Sequence, residues 1–113
     1  MTQQGSAVVV LTTLGAVTDA VELARTLVEE GLAACVNVLP PMQSVYRWKG
    51  AVDVDTEQQL VIKTTSARVA ALETRLRALH PYELPEFLVL TADGSTRYLQ
   101  WITESVQDGQ ARS

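Results

Sequence analysis

The sequence predicts an α+β fold in which an antiparallel sheet carries helices on one face, and three observations predict it. Stretches of strand-like and helix-like apolar spacing follow one another in the order β, α, β, β, α, β, α. Two of the strand stretches, 34–49 and 51–65, meet at a Lys49-Gly50 turn and so form a long hairpin. The chain has 113 residues, 47% hydrophobic and 19% charged, which suits one core and excludes disorder of the body.

Residues 7–11, AVVVL, are a short apolar run of β-branched character, as expected of a strand buried on both faces in mid-sheet. Next, Val17, Val21, Ala24, Leu27 and Val28 make a helical stripe with Glu22, Arg25 and Glu29 between them. Thr18 or Asp19 caps its start and Gly31 its end. Residues 34–49 alternate as a strand, but Pro40 and Pro41 have no N–H to give to a ladder, so the strand bends there or lies at an edge. Residues 51–65 run back with Val52, Val54, Leu60 and Ile62 on one face. Ser66 is placed to cap a second helix with Val69, Leu72, Leu76 and Leu79 as its stripe, stopped at His80 and Pro81. Residues 87–90 form the last strand, and Ala92-Asp93-Gly94 turns into a short helix bearing Tyr98, Leu99, Trp101, Ile102 and Val106. The result is one domain over residues 1–113, with 1–6 and 107–113 as flexible ends. In this order the elements make the split βαβ, ferredoxin-like arrangement with an added C-terminal helix.

The hairpin says more than the fold does. Its arms are about fifteen residues each against about seven for the first strand, an overhang of roughly 25 Å. A two-stranded ribbon is marginal in water by itself. Its outer part carries Val45, Tyr46 and Trp48, which their own subunit is too small to cover, so a homo-oligomer with Tyr46 and Trp48 at the interface is expected.

Composition narrows the partners. Nine Lys and Arg against thirteen Asp and Glu leave a net charge of −4, and the seven arginines are scattered, which argues against nucleic acid. No run reaches the ~18 apolar residues of a membrane span, and the start MTQQGSAVVVLTT lacks the basic and apolar build of a signal peptide. One cysteine, Cys35, excludes an internal disulfide and paired CxxC zinc sites and points to the reducing cytoplasm.

No phosphate-loop, dinucleotide, HExxH or GxSxG pattern is present. The chemistry-bearing residues are therefore few. Cys35, in AACVN, reads as a small buried hydrophobe or as a thiolate ligand. His80 ends a helix, where the dipole favours imidazolium, or it ligates. Lys63 interrupts LVIKTT as an anion contact or as a snorkelling strand end. The segment HPYELPE gathers His80, Tyr82, Glu83 and Glu86, although Pro81 and Pro85 also suit a plain turn. A hairpin turning about Gly50 sets Asn37 opposite Lys63 and Cys35 near Thr65, allowing for a bulge at the prolines. Cys35 and His80 then fall on strands at opposite sheet edges, so a metal pair of the two requires two chains.

The strings AACVNVLPPMQSVYRWKG, LVIKT, HPYELPE and YLQWI, in this order and spacing, together resemble the CutA divalent-cation tolerance family over nearly the whole chain. The resemblance implies a ferredoxin-like subunit, a homotrimer like that of the PII signalling proteins, a cytoplasmic place in bacteria, and a link to copper and other divalent metals. Its motif residues fall here on Cys35, Asn37, Tyr46, Trp48, Lys63, His80, Tyr82, Glu83, Glu86 and Trp101. Pro41, Gln58, Gln59 and Thr91 depart from the pattern, in the sheet and loops.

Two functions follow from that resemblance. In the first, the trimer binds divalent metal, copper foremost, with Cys35, His80 and Glu83 as ligands and no metal needed for folding. In the second, it is a PII-like regulator taking a small anion or a protein at inter-subunit clefts, with Asn37, Lys63, Tyr82, Glu86 and Trp48 lining the cleft. Tyr46, Trp48 and Trp101 form the trimer interface in both. An enzyme with Cys35 as nucleophile and His80 as base is disfavoured by their separation.

Overall fold

A computed structural model describes residues 6–80 and 82–107. The expected flexible ends lie outside that range except for Ser6 and Gln107, and so does Pro81. The elements run β1 (Ala7–Gly15), α1 (Ala20–Glu29), β2 (Cys35–Val38), β3 (Met42–Trp48), β4 (Ala51–Thr65), α2 (Val69–Leu79), β5 (Leu88–Thr91) and α3 (Thr96–Ser105). The sheet is antiparallel throughout, in the order β2-β4-β1-β5, and β3 pairs with β4 outside that path. This is the α+β class that the spacing predicts.

Alternation along the strands sorts the two faces. Val8, Val10 and Leu14 of β1 with Leu60 and Ile62 of β4 point to one side, where Leu23 and Leu27 of α1 and Leu72 and Leu76 of α2 close the core. α3 packs Ile102 and Val106 against Ala34 and Ala7 on the opposite side. β1 is longer than the predicted 7–11, because Thr12, Thr13 and Leu14 are buried and continue the pairing with β4 to Gly15. β-branched threonines suit such half-polar strand positions, and Thr12 Oγ1 donates to the Glu86 carbonyl at 2.7 Å.

The hairpin register differs from the expected one by two residues. Lys49 and Gly50, with φ of 50° and 84°, form a two-residue turn between Trp48 and Ala51, as a type I′ turn requires. The second shift comes at the prolines. Three residues, 39–41, separate β2 from β3, whereas only Gln58 and Gln59 separate their partners on β4, which is a bulge. Leu39 keeps its N–H bond to the Gln59 carbonyl at 3.0 Å, and the ladder resumes at Met42. Cys35 therefore faces Lys63 and Asn37 faces Val61, in place of the expected Thr65 and Lys63.

Asp19 caps α1 by accepting from the Glu22 N–H at 3.1 Å. At its other end Gly31 adopts φ 73°, and the Gly31 and Leu32 N–H groups reach back to the Val28 and Leu27 carbonyls, a Schellman closure. The buried stripe is Ala20, Leu23, Ala24 and Leu27. Val17, Val21 and Val28 of the expected stripe are exposed, because Val17 precedes the helix and the other two lie on the flank toward β2. Ser66 does not cap α2. It opens a single 3-10 turn, Ser66–Arg68, and its hydroxyl accepts from the Ser6 N–H at 3.0 Å.

Past Gly15 and Glu57 only β3 and β4 continue, six residues beyond the end of β1 on the β4 side. At ~3.3 Å per residue the arm projects roughly 20 Å, and the molecule measures 50 × 27 × 23 Å. Val45, Val52 and Val54 on this arm are 69%, 61% and 55% exposed.

Gly31→Ala is expected to lower stability by about 1–2 kcal/mol, since a Cβ disfavours the left-handed backbone. A urea midpoint equal to wild type would show that the α1 closure does not need glycine there.

Candidate functional site

The chain leaving α2 crosses the end of β1 before it turns into β5, and the arm rises beside that crossing. Between them lies a cleft of about 810 Å³, with Tyr46, Trp48, Glu57, Tyr82, Glu86 and Phe87 among its lining residues. His80 anchors the crossing. It is 5% exposed, and its Nε2 lies 2.7 Å from the Thr13 carbonyl, which can only accept, so Nε2 donates this bond. The Tyr82 ring sits 4.3 Å from the imidazole, centre to centre. A Cβ on Gly15 would stand 3.3 Å from the Tyr82 hydroxyl, so a residue without a side chain lets the phenol approach β1.

Polar contacts fix the rest of the cleft. The Tyr82 hydroxyl donates to Glu57 Oε2 at 3.3 Å, and Gln59 Nε2 donates to Glu86 Oε2 at 2.8 Å. The Tyr46 hydroxyl donates to Asp55. That bond, helped by partial burial and by the charges of Asp55, Asp53 and Glu57, pushes the Tyr46 phenol up from 10.0 to about 12. Burial raises Tyr82, with Glu57 adding to it, and burial also raises the Glu86 carboxyl, with Glu57 assisting and the Gln59 bond opposing. The shared direction marks a partly desolvated region of negative potential.

The sequence-predicted site residues divide among several places. Trp48, Tyr82 and Glu86 line the cleft. Glu83 is at its outer rim, 4.0 Å from Lys49 Nζ, in an exposed pair. Asn37 and Lys63 lie elsewhere, at the base of the hairpin, where Lys63 Nζ donates to Asn37 Oδ1 at 2.6 Å. They meet on a diagonal, because Lys63 faces Cys35 across the ladder and Asn37 is two residues further along the same face. Trp101 stacks obliquely on Tyr98 at 5.4 Å on the exposed side of α3.

Cys35 and His80 are not brought together in one chain. Cys35 is on the β2 edge at the level of Val9, while His80 bonds Thr13, four residues or ~13 Å further along β1. Among the described residues no three His, Cys, Asp or Glu side chains are grouped to hold a metal ion. The cleft residues that the sequence reading missed are Asp55 and Glu57. Their signal is the alternation VDVDTE, which sends Asp53, Asp55 and Glu57 to one face of β4.

Fold and cleft define a small α+β protein whose hairpin outreaches its sheet and roofs a pocket of aromatic and acidic groups. Residues 8–105 match the family model described as CutA1 divalent ion tolerance protein, and the chain belongs to that family. It is 46% identical over 98 residues to the divalent-cation tolerance protein CutA of Thermus thermophilus, covering 86% of this chain and 95% of that one. It is 47% identical over 91 residues to human Protein CutA, with 77% of this chain covering 51% of the human protein. Among solved structures, the Thermus thermophilus protein superposes with a TM-score of 0.84 at 44% identity, covering 89% of this chain and 99% of that one. CutA from Xylella fastidiosa gives 0.85 at 40% identity, covering 91% and 100%. Compartment varies among these proteins, since an Arabidopsis thaliana relative is named chloroplastic and an Archaeoglobus fulgidus one periplasmic.

The Tyr46 phenol is expected to ionise near pH 12 in the folded protein, and Asp55→Asn to return it toward 10.0. Because the folded value is the higher, the stabilisation from this bond is present below pH 10.0 and is lost as pH rises through about 12. Ultraviolet titration of wild type, Tyr46→Phe and Asp55→Asn measures it. Identical curves for wild type and Asp55→Asn would remove the bond from the account.

Proposed function

We propose that the protein is a cytoplasmic, non-enzymatic homotrimer that binds divalent cations, copper foremost, in the manner its family's name implies. The observation that carries the assembly is the apolar surface that one chain leaves open. All four residues of β5 are exposed, Val9, Leu11 and Val61 on the same sheet face as Leu88 and Leu90 are only partly covered, and the arm shows three valines. Such a surface is larger than scattered exposed residues and fits an interface. The antiparallel order β2-β4-β1-β5 with α1 and α2 on one face supports a single ferredoxin-like domain, and with it a PII-like trimer having Tyr46, Trp48 and Trp101 at the boundaries between chains.

The metal reading places Cys35, His80 and Glu83 in a site shared between chains, since they lie apart in one. His80 supports it in one respect: an N–H held by a backbone carbonyl is how ligating imidazoles are commonly oriented, and here it leaves Nδ1 for a metal. No metal is required for folding in this reading. Neither nucleic acid nor a membrane is a partner, and no helix among the described residues is long and apolar enough to cross one.

The regulator reading is favoured by Lys63. Its ammonium bonds the neutral Asn37 amide oxygen and has no carboxylate within 4.0 Å among the described residues, so its charge is open to a small anion or a protein, with Tyr82, Glu86 and Trp48 reached from a neighbouring chain.

Light scattering is expected to give about three times 12.3 kDa, persisting on dilution. A folded monomer would end the trimer reading. Calorimetric titration with copper is expected to show binding that weakens about tenfold or more in Cys35→Ala and His80→Ala and that fades as pH falls through the range where imidazole protonates. Equal copper affinity in the double variant would remove these ligands.

A further inference from the structure

The turn into α3 carries chemistry that neither reading above uses. Asp93 and Gly94 are both exposed, and the Asp93 carboxylate is bonded by the amide of the very next residue, Gly94 N–H to Oδ1 at 2.8 Å. Among the described residues no Lys, Arg or His lies within 4.0 Å of that carboxylate, and no other donor holds it. The side chain is therefore folded back onto the peptide that follows it. The Gly94 nitrogen with the Asp93 carbonyl carbon, Cα, Cβ and carboxyl carbon are the five members of a succinimide ring, and the turn already holds the two ends of that ring together.

Glycine matters here for reactivity and not for shape. Gly94 is not among the glycines with positive φ, and a Cβ on it would meet nothing nearer than Leu99 Cδ2 at 3.9 Å, an ordinary contact. The fold would accept alanine at this place. What the missing side chain does leave open is the approach to the Gly94 nitrogen. The other aspartates of the described residues lack this freedom. Asp19, Asp53 and Asp55 precede Ala20, Val54 and Thr56, while Asp19 is committed to capping α1 and Asp55 to the Tyr46 phenol.

We propose that Asp93-Gly94 is a site of spontaneous aspartate isomerisation that loosens α3. The Gly94 nitrogen attacks the carboxyl carbon of Asp93 in its acid form. A nitrogen–carbon bond forms, the nitrogen gives up its proton and the carboxyl its hydroxyl, and one water leaves. Water then opens the imide. Attack at the side-chain carbonyl restores aspartate, whereas attack at the backbone carbonyl leaves the chain running through Cβ, as isoaspartate, with the former backbone carbonyl now a free carboxylate. The water released is taken up again, so the net change is an isomerisation without a co-reactant.

Its place in the fold gives the change an effect. The Ala92 N–H is tied to the Ala7 carbonyl at 3.1 Å, and Ser95 caps α3 by accepting from the Tyr98 N–H. Isoaspartate adds one backbone atom between these two anchors. α3 is seated by Ile102 and Val106 on Ala34 and Ala7, so a shifted cap moves a helix that little else in its own chain holds. The site is independent of where a metal or an anion binds.

Purified full-length protein aged at neutral pH tests this. Trypsin divides the region into peptides 78–97, with Asp93, and 98–112, with the same dipeptide at Asp108-Gly109 outside the described residues, so the two are read apart. Isoaspartate is measured by methyl transfer from labelled S-adenosylmethionine with an isoaspartyl methyltransferase and by resistance to endoproteinase Asp-N. It is expected to accumulate in peptide 78–97, to be lost from that peptide in Asp93→Glu, whose ring would need a sixth member, and to fall in Gly94→Ala, which the backbone tolerates. Its absence from the aged protein while the free peptide forms it, or an equal yield in Gly94→Ala, would overturn the site. Hydrogen exchange on the aged sample is expected to be faster over Thr96–Ser105 in modified chains than in unmodified ones. Equal exchange would overturn the effect on α3.

Discussion

Nine residue pairs between β1 and β4, from Ala7 with Thr65 to Gly15 with Glu57, are the constraint on which the rest of the chain depends. Val10, Leu60 and Ile62 in this ladder are fully buried, and a shift by one residue would turn all of them to the wrong face. Because β4 is longer than β1, the same ladder decides where the arm begins. It puts Gly15 and Glu57 side by side at the point where Tyr82 arrives, so the core register also sets the floor of the cleft.

The second fixed point is the end of α2. His80 is buried and bonded to Thr13, which ties the helix end to the last turn of the central strand. The tie is directional: Nε2 donates to the carbonyl, which fixes the orientation of the ring, and Tyr82 packs on it at a tilt of 51°. A histidine at a helix C-terminus therefore serves here as a strut for the HPYELPE segment, whatever its free nitrogen does in an assembly. The Glu86 carbonyl, held by Thr12, completes that path before β5 joins β1.

How much of this was legible depends on the kind of signal. Caps act locally, so Asp19 and Gly31 were readable from residue type alone, whereas α3 is capped by Ser95, just past the expected Ala92-Asp93-Gly94 turn, which accepts from the Tyr98 N–H. Ser66 has the right chemistry for a cap, but its hydroxyl is taken by Ser6, sixty residues away in sequence, which no local pattern shows. The α1 stripe through Val17, Val21 and Val28 fits helical spacing as well as the buried one does, and only the position of β2 decides between them. The Lys49-Gly50 turn and a bulge at the prolines were both readable from residue type, but not that two residues rather than one stay unpaired at the turn, nor which way the bulge shifts the ladder. In the cleft, Trp48, Tyr82 and Glu86 stood out as uncommon types in short motifs, whereas Asp55 and Glu57 were hidden in an alternation that any solvent-facing strand would show.

That alternation also governs how the arm can be covered. Val45, Val52 and Val54 lie on one face of the ribbon, and Tyr46, Asp53, Asp55 and Glu57 on the other. A ribbon of two strands gains little stability alone, so covering the valines favours it. Burying the other face without counter-charge would cost several kcal/mol for each carboxylate. A partner laid on the arm can therefore pack over the valines and touch the rings of Tyr46 and Trp48 at the rim. To reach further it must bring cations.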